Sequence, residues 1–117
     1  MIEIRFVTDK ADRIVSYTVD GHAEYADPGE DIVCAGVSAT TIGTLNALEE
    51  LLGIQPGVES KENGYLSVTI PEIDDERKSE DIQLLLHAMR VTLQSIEQSY
   101  GEYVSIKHLN SKGGKTP

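Results

Sequence analysis

Cys34 and His22 are the residues of this sequence whose chemistry and spacing could support catalysis. A thiol attacks a carbonyl as thiolate, and its usual pKa of about 8.5 leaves little thiolate at neutral pH. Two features could correct this: a helix start, where unpaired N–H groups stabilise negative charge, and an imidazole that accepts the proton. We therefore predict a Cys–His pair with Cys34 as nucleophile and His22 as general base. The pair requires the intervening loop, residues 23–32, to fold back.

Three further residues could support this pair. Asp31 could contact the imidazole and orient His22, or it could cap the helix, and the sequence leaves both readings open. Ser38 lies four residues after Cys34 on the same helical face, where it could hydrogen-bond to the site or simply pack. The backbone N–H groups near Cys34 and Ala35 are the candidates for stabilising an oxyanion.

The same residue types also have structural interpretations. A lone cysteine among Ile, Val and Ala is usually inert and buried, and a histidine at a strand end is usually structural. We expect His87, beside an apolar helix stripe, and His108, in the last strand, to be structural. One cysteine and three histidines show no metal-ligand spacing, and no Gly-rich phosphate loop is present. We therefore expect no metal and no cofactor.

Alternation of apolar and polar residues, broken by turn residues, predicts five strands. The predicted strands are residues 2–6, 14–19, 58–61, 65–70 and 103–109. The third and fourth flank Asn63-Gly64, a strong hairpin signal, since both residues accept positive φ. Gly21-His22 ends the second strand, and the loop that follows contains Pro28-Gly29 and several carboxylates. We expect this loop to be mobile.

Apolar residues at steps of three or four predict two helices. The first covers residues 34–52 and ends at Gly53, and its first half is rich in small residues that allow close packing. The second covers about residues 80–100, with Ser79 as its cap. Its apolar stripe is Ile82, Leu85, Leu86, Met89, Leu93 and Ile96.

The element order β-β-α-β-β-α-β suggests an α+β fold, with two helices packed on a mainly antiparallel sheet. At 117 residues the chain is of a usual size for one domain. We expect a single domain over residues 1–110 and a disordered, glycine-rich tail over residues 111–117.

Twenty acidic and ten basic side chains give a formal net charge of −10, which repels nucleic acid and excludes it as a direct partner. The charge favours a cationic partner, although an acidic surface is more commonly kept for solubility. We expect no membrane segment and no export signal, because no long apolar run and no basic N-terminal region are present. A single cysteine cannot form an internal disulfide, which favours the cytoplasm.

Residues 21–23 (Gly-His-Ala) and 31–38 (Asp-Ile-Val-Cys-Ala-Gly-Val-Ser) closely resemble the paired motifs of the bacterial ribosomal-processing cysteine protease family, called Prp. The resemblance extends to the element order over about residues 1–109, and outside the motifs it is one of pattern. No motif position departs from the family. The resemblance implies a cysteine endopeptidase in which His22 and Cys34 take the catalytic positions and the intervening segment is a mobile active-site loop.

The resemblance also implies a substrate and an assembly. Members of the family remove a short N-terminal extension from large-subunit ribosomal protein twenty-seven during ribosome maturation, and they form homodimers. That substrate is basic, which agrees with the acidic charge of this chain. Two alternatives are a non-enzymatic acidic binding module for a basic ribosomal protein and a thiol redox or acyl-transfer protein.

Overall fold

The computed structural model describes residues 1–27 and 30–111, which form the predicted succession of strands and helices. The elements are β1 (Ile2–Thr8), β2 (Ile14–Asp20), α1 (Ile32–Leu52), β3 (Gly57–Lys61), β4 (Tyr65–Thr69), α2 (Glu76–Ser99) and β5 (Val104–Asn110). This order confirms the predicted α+β class with two helices on a mainly antiparallel sheet. Most of the predicted tail, residues 112–117, lies outside the described residues.

The five strands form one sheet in the order β3-β4-β2-β1-β5. β1 and β5 run parallel, and the other neighbouring pairs run antiparallel. Because Glu3 pairs with Asp20 and Val19 pairs with Leu66, the start of β1, the end of β2 and the start of β4 meet at one end of the sheet. His22 follows β2 closely in sequence and therefore leaves the sheet at this end.

One face of the sheet and the apolar sides of both helices form the core. Alternate residues of β1 from Ile2 to Thr8 are buried, as a sheet covered on one face requires. The residues between them are partly exposed, and Glu3 there pairs with Arg5 at 2.8 Å and with Lys107 at 2.7 Å. The helices bury Val33, Val37, Thr41, Leu45 and Leu48 of α1 and Ile82, Leu86, Met89 and Leu93 of α2.

Buried and partly buried hydrogen bonds tie each helix to β2. The Tyr17 hydroxyl donates to the Thr41 carbonyl oxygen of α1 at 2.9 Å. Burial raises the pKa of Tyr17 well above its usual value, so that the hydroxyl keeps its proton. Gln83 of α2 accepts from the Ile14 N–H at 2.7 Å and donates to the Ile14 carbonyl oxygen at 2.9 Å. These bonds hold α1 and α2 in register with the sheet.

Both helices begin earlier than predicted. α1 begins at Ile32 because Asp31 is its cap. The prediction for α2 is wrong by one turn: the helix begins at Glu76, and the cap is Asp75 rather than Ser79. The Ser79 N–H donates to the Asp75 carbonyl oxygen at 2.9 Å, as a residue inside a helix does. The four residues of this extra turn are all polar, so that no apolar pattern predicts it.

The predicted glycine positions have the expected backbone. Gly53 ends α1 with a φ of 65°, and Gly64 has a φ of 74° in the β3–β4 turn, residues 62–64. Both residues of Asn63-Gly64 accept positive φ, and in the structure Gly64 has it and Asn63 does not. The hairpin is therefore confirmed, with a turn that needs glycine at one position.

Among the described residues, α1 is the one helix long and apolar enough to cross a membrane by length and composition. Its mean hydropathy over an 18-residue window is 1.2, and 28% of that window is buried. Core helices pass the same test, so that one such helix is weak evidence for a span. α1 has a buried side that belongs to the core, which favours the core-helix interpretation.

Candidate active site

Cys34 lies in the first turn of α1, and Asp31 organises this turn. Asp31 Oδ1 accepts from the N–H groups of Val33 at 3.0 Å and of Cys34 at 2.9 Å. Its Oδ2 accepts from the Tyr25 N–H at 3.0 Å. These bonds, that from Cys34 above all, hold the pKa of Asp31 below its usual value. Of the two readings of Asp31 that the sequence left open, the structure shows the helix cap, which also holds the loop.

The Cys34 side chain is half-buried, and a backbone group points at its sulfur. The Ala23 N–H donates to Sγ at 3.3 Å. Ala23 is 3% exposed, so this donor lies inside the protein. The chain after His22 therefore does return to the start of α1, as the predicted Cys–His pair requires.

His22 is exposed and lies against the β3–β4 turn. The preceding Gly21 has a φ of 97°, and its N–H donates to the Gly64 carbonyl oxygen at 3.1 Å. An added Cβ on Gly64 would lie 3.0 Å from Cε1 and 3.1 Å from Nε2 of His22. The imidazole thus occupies the space that a side chain at residue 64 would need. Within the described part of the chain, His22 forms no hydrogen bond with Cys34 or Asp31.

Two cavities meet at these side chains. The loop-side cavity, about 550 Å³, is lined by Glu24 and Asp31 as well as by the shared residues. The sheet-side cavity, about 200 Å³, extends between α1 and the start of β4. The residues that line both cavities are His22, Cys34 and Ser38. The structure thus brings all five predicted site residues to the loop-side cavity, because Asp31 and Ala35 line it together with the three shared residues. This cavity has the size of a ligand site.

Ser38 and Ala35, two of the predicted supporting residues, both line the loop-side cavity. The exposed Ser38 hydroxyl faces both cavities and forms no hydrogen bond within the described residues, so that it is free to bond to a ligand. Ala35 lines the loop-side cavity, and its N–H donates to the Asp31 carbonyl oxygen at 3.0 Å. That bond is the first regular bond of α1.

Sequence reasoning missed an aromatic cluster that holds the loop. The Tyr25 ring lies edge-on to Tyr100 at 5.8 Å and to Tyr103 at 5.1 Å between ring centroids. Tyr25 follows Glu24, which has a φ of 57°, an uncommon conformation for a residue with a side chain. No local pattern connects Tyr25 with residues more than seventy positions away, so only the fold reveals the contact.

The remaining histidines lie outside both cavities. His108 stacks on Phe6 with ring centroids 5.8 Å apart, and burial holds its pKa below the usual value. His87 is a half-buried residue of α2. Within residues 1–27 and 30–111, no group of three or more His, Cys, Asp or Glu side chains could hold a metal ion.

A thiol in the first turn of a helix, with an imidazole at the same cavities, is the arrangement of a thiol-dependent hydrolase. The family model for cysteine protease Prp matches residues 1–105, and the chain belongs to this family. The protein is therefore a cysteine protease, which is a hydrolase. This assignment goes against the binding-module and redox alternatives.

Similar proteins agree with the family. The ribosomal processing cysteine protease Prp of Bacillus subtilis strain 168 is 36% identical over 94 residues, which are 80% of this chain and 84% of that protein. A crystal structure of the Staphylococcus aureus protease with a covalently linked product peptide has a TM-score of 0.84 at 30% identity. A second, with a substrate peptide, has a TM-score of 0.79 at 28% identity. Each covers 92% of this chain and 99% of the S. aureus chain.

Proposed function

We propose that this protease uses Cys34 as nucleophile and His22 as general base to remove the N-terminal extension of large-subunit ribosomal protein twenty-seven during ribosome maturation. The observation that carries the catalytic assignment is that His22 and Cys34 line the same two cavities at the start of α1. The relatives named above are ribosomal processing proteases, and one holds a covalently linked product peptide.

The proposed reaction has two steps at one sulfur. The Cys34 thiolate attacks the scissile carbonyl carbon, and protonated His22 gives its proton to the leaving amine. Water, deprotonated by His22, then attacks the thioester and releases the acid. Before the first step the imidazole and the sulfur must come within hydrogen-bond distance of each other, since no hydrogen bond joins them here. Such contacts commonly tighten only when substrate binds.

Three backbone N–H groups at the start of α1 and in the preceding loop are candidates for the oxyanion donors. Those of Cys34 and Ala35, predicted from the sequence, already donate to Asp31 at 2.9 Å and 3.0 Å. Their oxyanion role stays a prediction, and it requires an oxyanion to share or replace these bonds. The Ala23 N–H points at the sulfur itself and is within reach of an oxygen on the carbon bonded to it.

Charge supports the proposed substrate. The net charge of −10 attracts a basic protein at long range, and Glu24 adds a carboxylate at the loop-side cavity. We further propose that residues 1–110 form a single peptidase domain, that the loop at residues 23–32 becomes ordered around the substrate, and that the enzyme works in the cytoplasm as a homodimer. Light scattering during gel filtration tests the last point, and a monomeric mass at micromolar concentration contradicts it.

The test of the proposed function is cleavage of ribosomal protein twenty-seven carrying its N-terminal extension, followed by intact-mass spectrometry. We expect the wild type to release the extension as one peptide, and Cys34→Ala and His22→Ala to be inactive. His87→Ala, which removes a half-buried imidazole outside both cavities, is the matched control and should cleave normally. Full activity of either site variant contradicts the assigned roles, and an uncut precursor with active enzyme on other peptides contradicts the substrate.

A further inference from the structure

Gly64 touches both residues of the Gly21-His22 pair. Its carbonyl oxygen accepts from the Gly21 N–H at 3.1 Å. A Cβ added to Gly64 would lie 2.6 Å from the Gly21 carbonyl oxygen and 3.0 Å and 3.1 Å from Cε1 and Nε2 of His22. The first distance is too short for any side chain, and the others are tight contacts. A side chain at residue 64 would therefore clash with the Gly21 carbonyl oxygen and press the imidazole away from its observed place.

The backbone of Gly64 adds a second requirement. Its φ of 74° is disfavoured for residues with a Cβ, and the turn needs it to connect β3 with β4. Contact and backbone therefore both select glycine. Only the close contact affects the position of His22 directly, because strain in the backbone of Gly64 would act on the hairpin instead.

His22 has few other restraints. Its side chain is exposed and forms no hydrogen bond or ion pair within the described residues. The imidazole position thus depends on the turn that it lies against. From this geometry we infer that Gly64 is a positioning residue: it keeps the His22 imidazole at the cavity edge from which it reaches Cys34. The inference rests on the proposed role of His22 and adds a residue to it.

Gly53 is a matched control for substitution at Gly64. It has a similar φ of 65°, but an added Cβ there meets no heavy atom within 4 Å. Asparagine tolerates positive φ better than other residues with a side chain. Gly64→Asn and Gly53→Asn therefore place the same side chain on similar backbone conformations, and only the first meets His22 and the Gly21 carbonyl oxygen.

The first experiment measures cleavage and thiol alkylation for both variants. We expect Gly64→Asn to lower kcat by roughly 10- to 100-fold with a smaller change in KM, because an imidazole displaced by about 1 Å transfers protons poorly. Since Cys34 is the single cysteine, iodoacetamide reports on it alone. The pH profile of alkylation should move to that of His22→Ala. Gly53→Asn should keep the wild-type kcat and profile, whatever its thermal stability.

A double variant separates positioning from folding. In a His22→Ala background, Gly64→Asn should cause no further loss of residual cleavage, because the group through which it acts is gone. Its thermal destabilisation should persist there, since the contact with Gly21 remains. Equal kcat and alkylation profiles for Gly64→Asn and wild type overturn the inference alone. Full activity of His22→Ala instead overturns the proposed function.

A measurement on the unsubstituted protein covers the case in which Gly64→Asn does not fold. The NMR spectrum should show a strong nuclear Overhauser effect between the His22 Hε1 proton and the Gly64 Hα protons. Absence of this effect, with the Gly21 to Gly64 amide contact still visible, shows that the imidazole lies elsewhere and overturns the inference.

Discussion

Cys34 and His22 line the same cavities, but the protein holds them in different ways. Cys34 is part of a 21-residue helix whose first turn is capped by Asp31 and whose middle is tied to β2 through Tyr17. His22 follows a strand end, is exposed, and has a glycine as its neighbour across the turn. The sulfur is thus built into a packed element, whereas the imidazole is placed by the absence of a side chain at residue 64.

This difference suggests a division of roles. A nucleophile gains from a fixed position beside its oxyanion donors, while a general base must approach first the thiol and later the leaving amine. Substitutions of residues that hold Cys34 should therefore disorder the first turn of α1 and the loop before it. Substitutions of residues that hold His22 should impair proton transfer. The predictions below test this contrast from the largest expected effect to the smallest.

Gly21→Ala should have the largest effect, because it strains the backbone before His22. An added Cβ would lie 2.6 Å from the Met1 carbonyl oxygen, at a φ of 97°. We expect the free energy of unfolding to fall by about 2 kcal/mol or more and cleavage to be lost. Urea unfolding and the precursor assay measure the two effects.

Gly43→Ala is the control for Gly21→Ala. Gly43 lies inside α1, and an added Cβ meets no heavy atom within 4 Å. Alanine there should raise the free energy of unfolding by up to about 1 kcal/mol, since it favours the helix. A Gly21→Ala protein as stable and active as wild type would show that the end of β2 does not restrain His22.

Asp31→Ala should have a smaller effect, through the first turn of α1. It removes the acceptor for two N–H groups of the helix and for the Tyr25 N–H, so that thermal stability and cleavage should both fall. Asp31→Asn keeps an oxygen acceptor at the cap and should retain more of both. Equal losses in the two variants would indicate that the charge, rather than the cap, is what the site needs.

The Asp31 effect should depend on pH. The pKa of this carboxyl is lower in the folded protein than in the unfolded chain, so that its stabilisation is present above about pH 4. The stabilisation declines as the pH falls through the folded-state pKa. The difference in melting temperature between wild type and Asp31→Ala should therefore shrink in acid. A difference that grows on acidification contradicts the cap assignment.

Tyr25→Ala should have the smallest effect, confined to the loop. It removes two edge-on ring contacts of a side chain that is 42% exposed, which are worth about 1 kcal/mol together. A glutamate-specific protease should cut the variant faster after Glu24 and Glu30. Tyr25→Phe keeps the rings in contact and should resemble wild type, and equal cutting of all three proteins would show that the cluster does not hold the loop.

The elements could be predicted because their signals are local. Alternation gave the strands, Gly53 marked the end of α1, and Asn63-Gly64 marked the hairpin. The start of α2 was missed because Asp75 and Ser79 are equally good caps in sequence, and only polar residues separate them. The strand order depends on pairings between distant residues, which no local pattern records.

The residues of the candidate site could be predicted from the sequence, but the contacts that hold those residues in place could not. His22, Cys34 and Asp31 stand in short motifs, and the helix start near Cys34 follows from the periodicity after it. The contact of Gly64 with His22 and the packing of Tyr25 on Tyr100 and Tyr103, between α2 and β5, arise only when distant segments meet. The sequence predicts Gly64 as a turn residue, but no local pattern indicates that it also lies against His22.

The most direct test of the account is to trap the covalent intermediate. Wild-type enzyme mixed with excess extended precursor, quenched in acid within milliseconds and digested, should yield a thioester between the extension and Cys34 by mass spectrometry. His22→Ala should accumulate no such adduct on this timescale. An adduct on any other residue, or rapid cleavage by Cys34→Ala, would contradict the central claim.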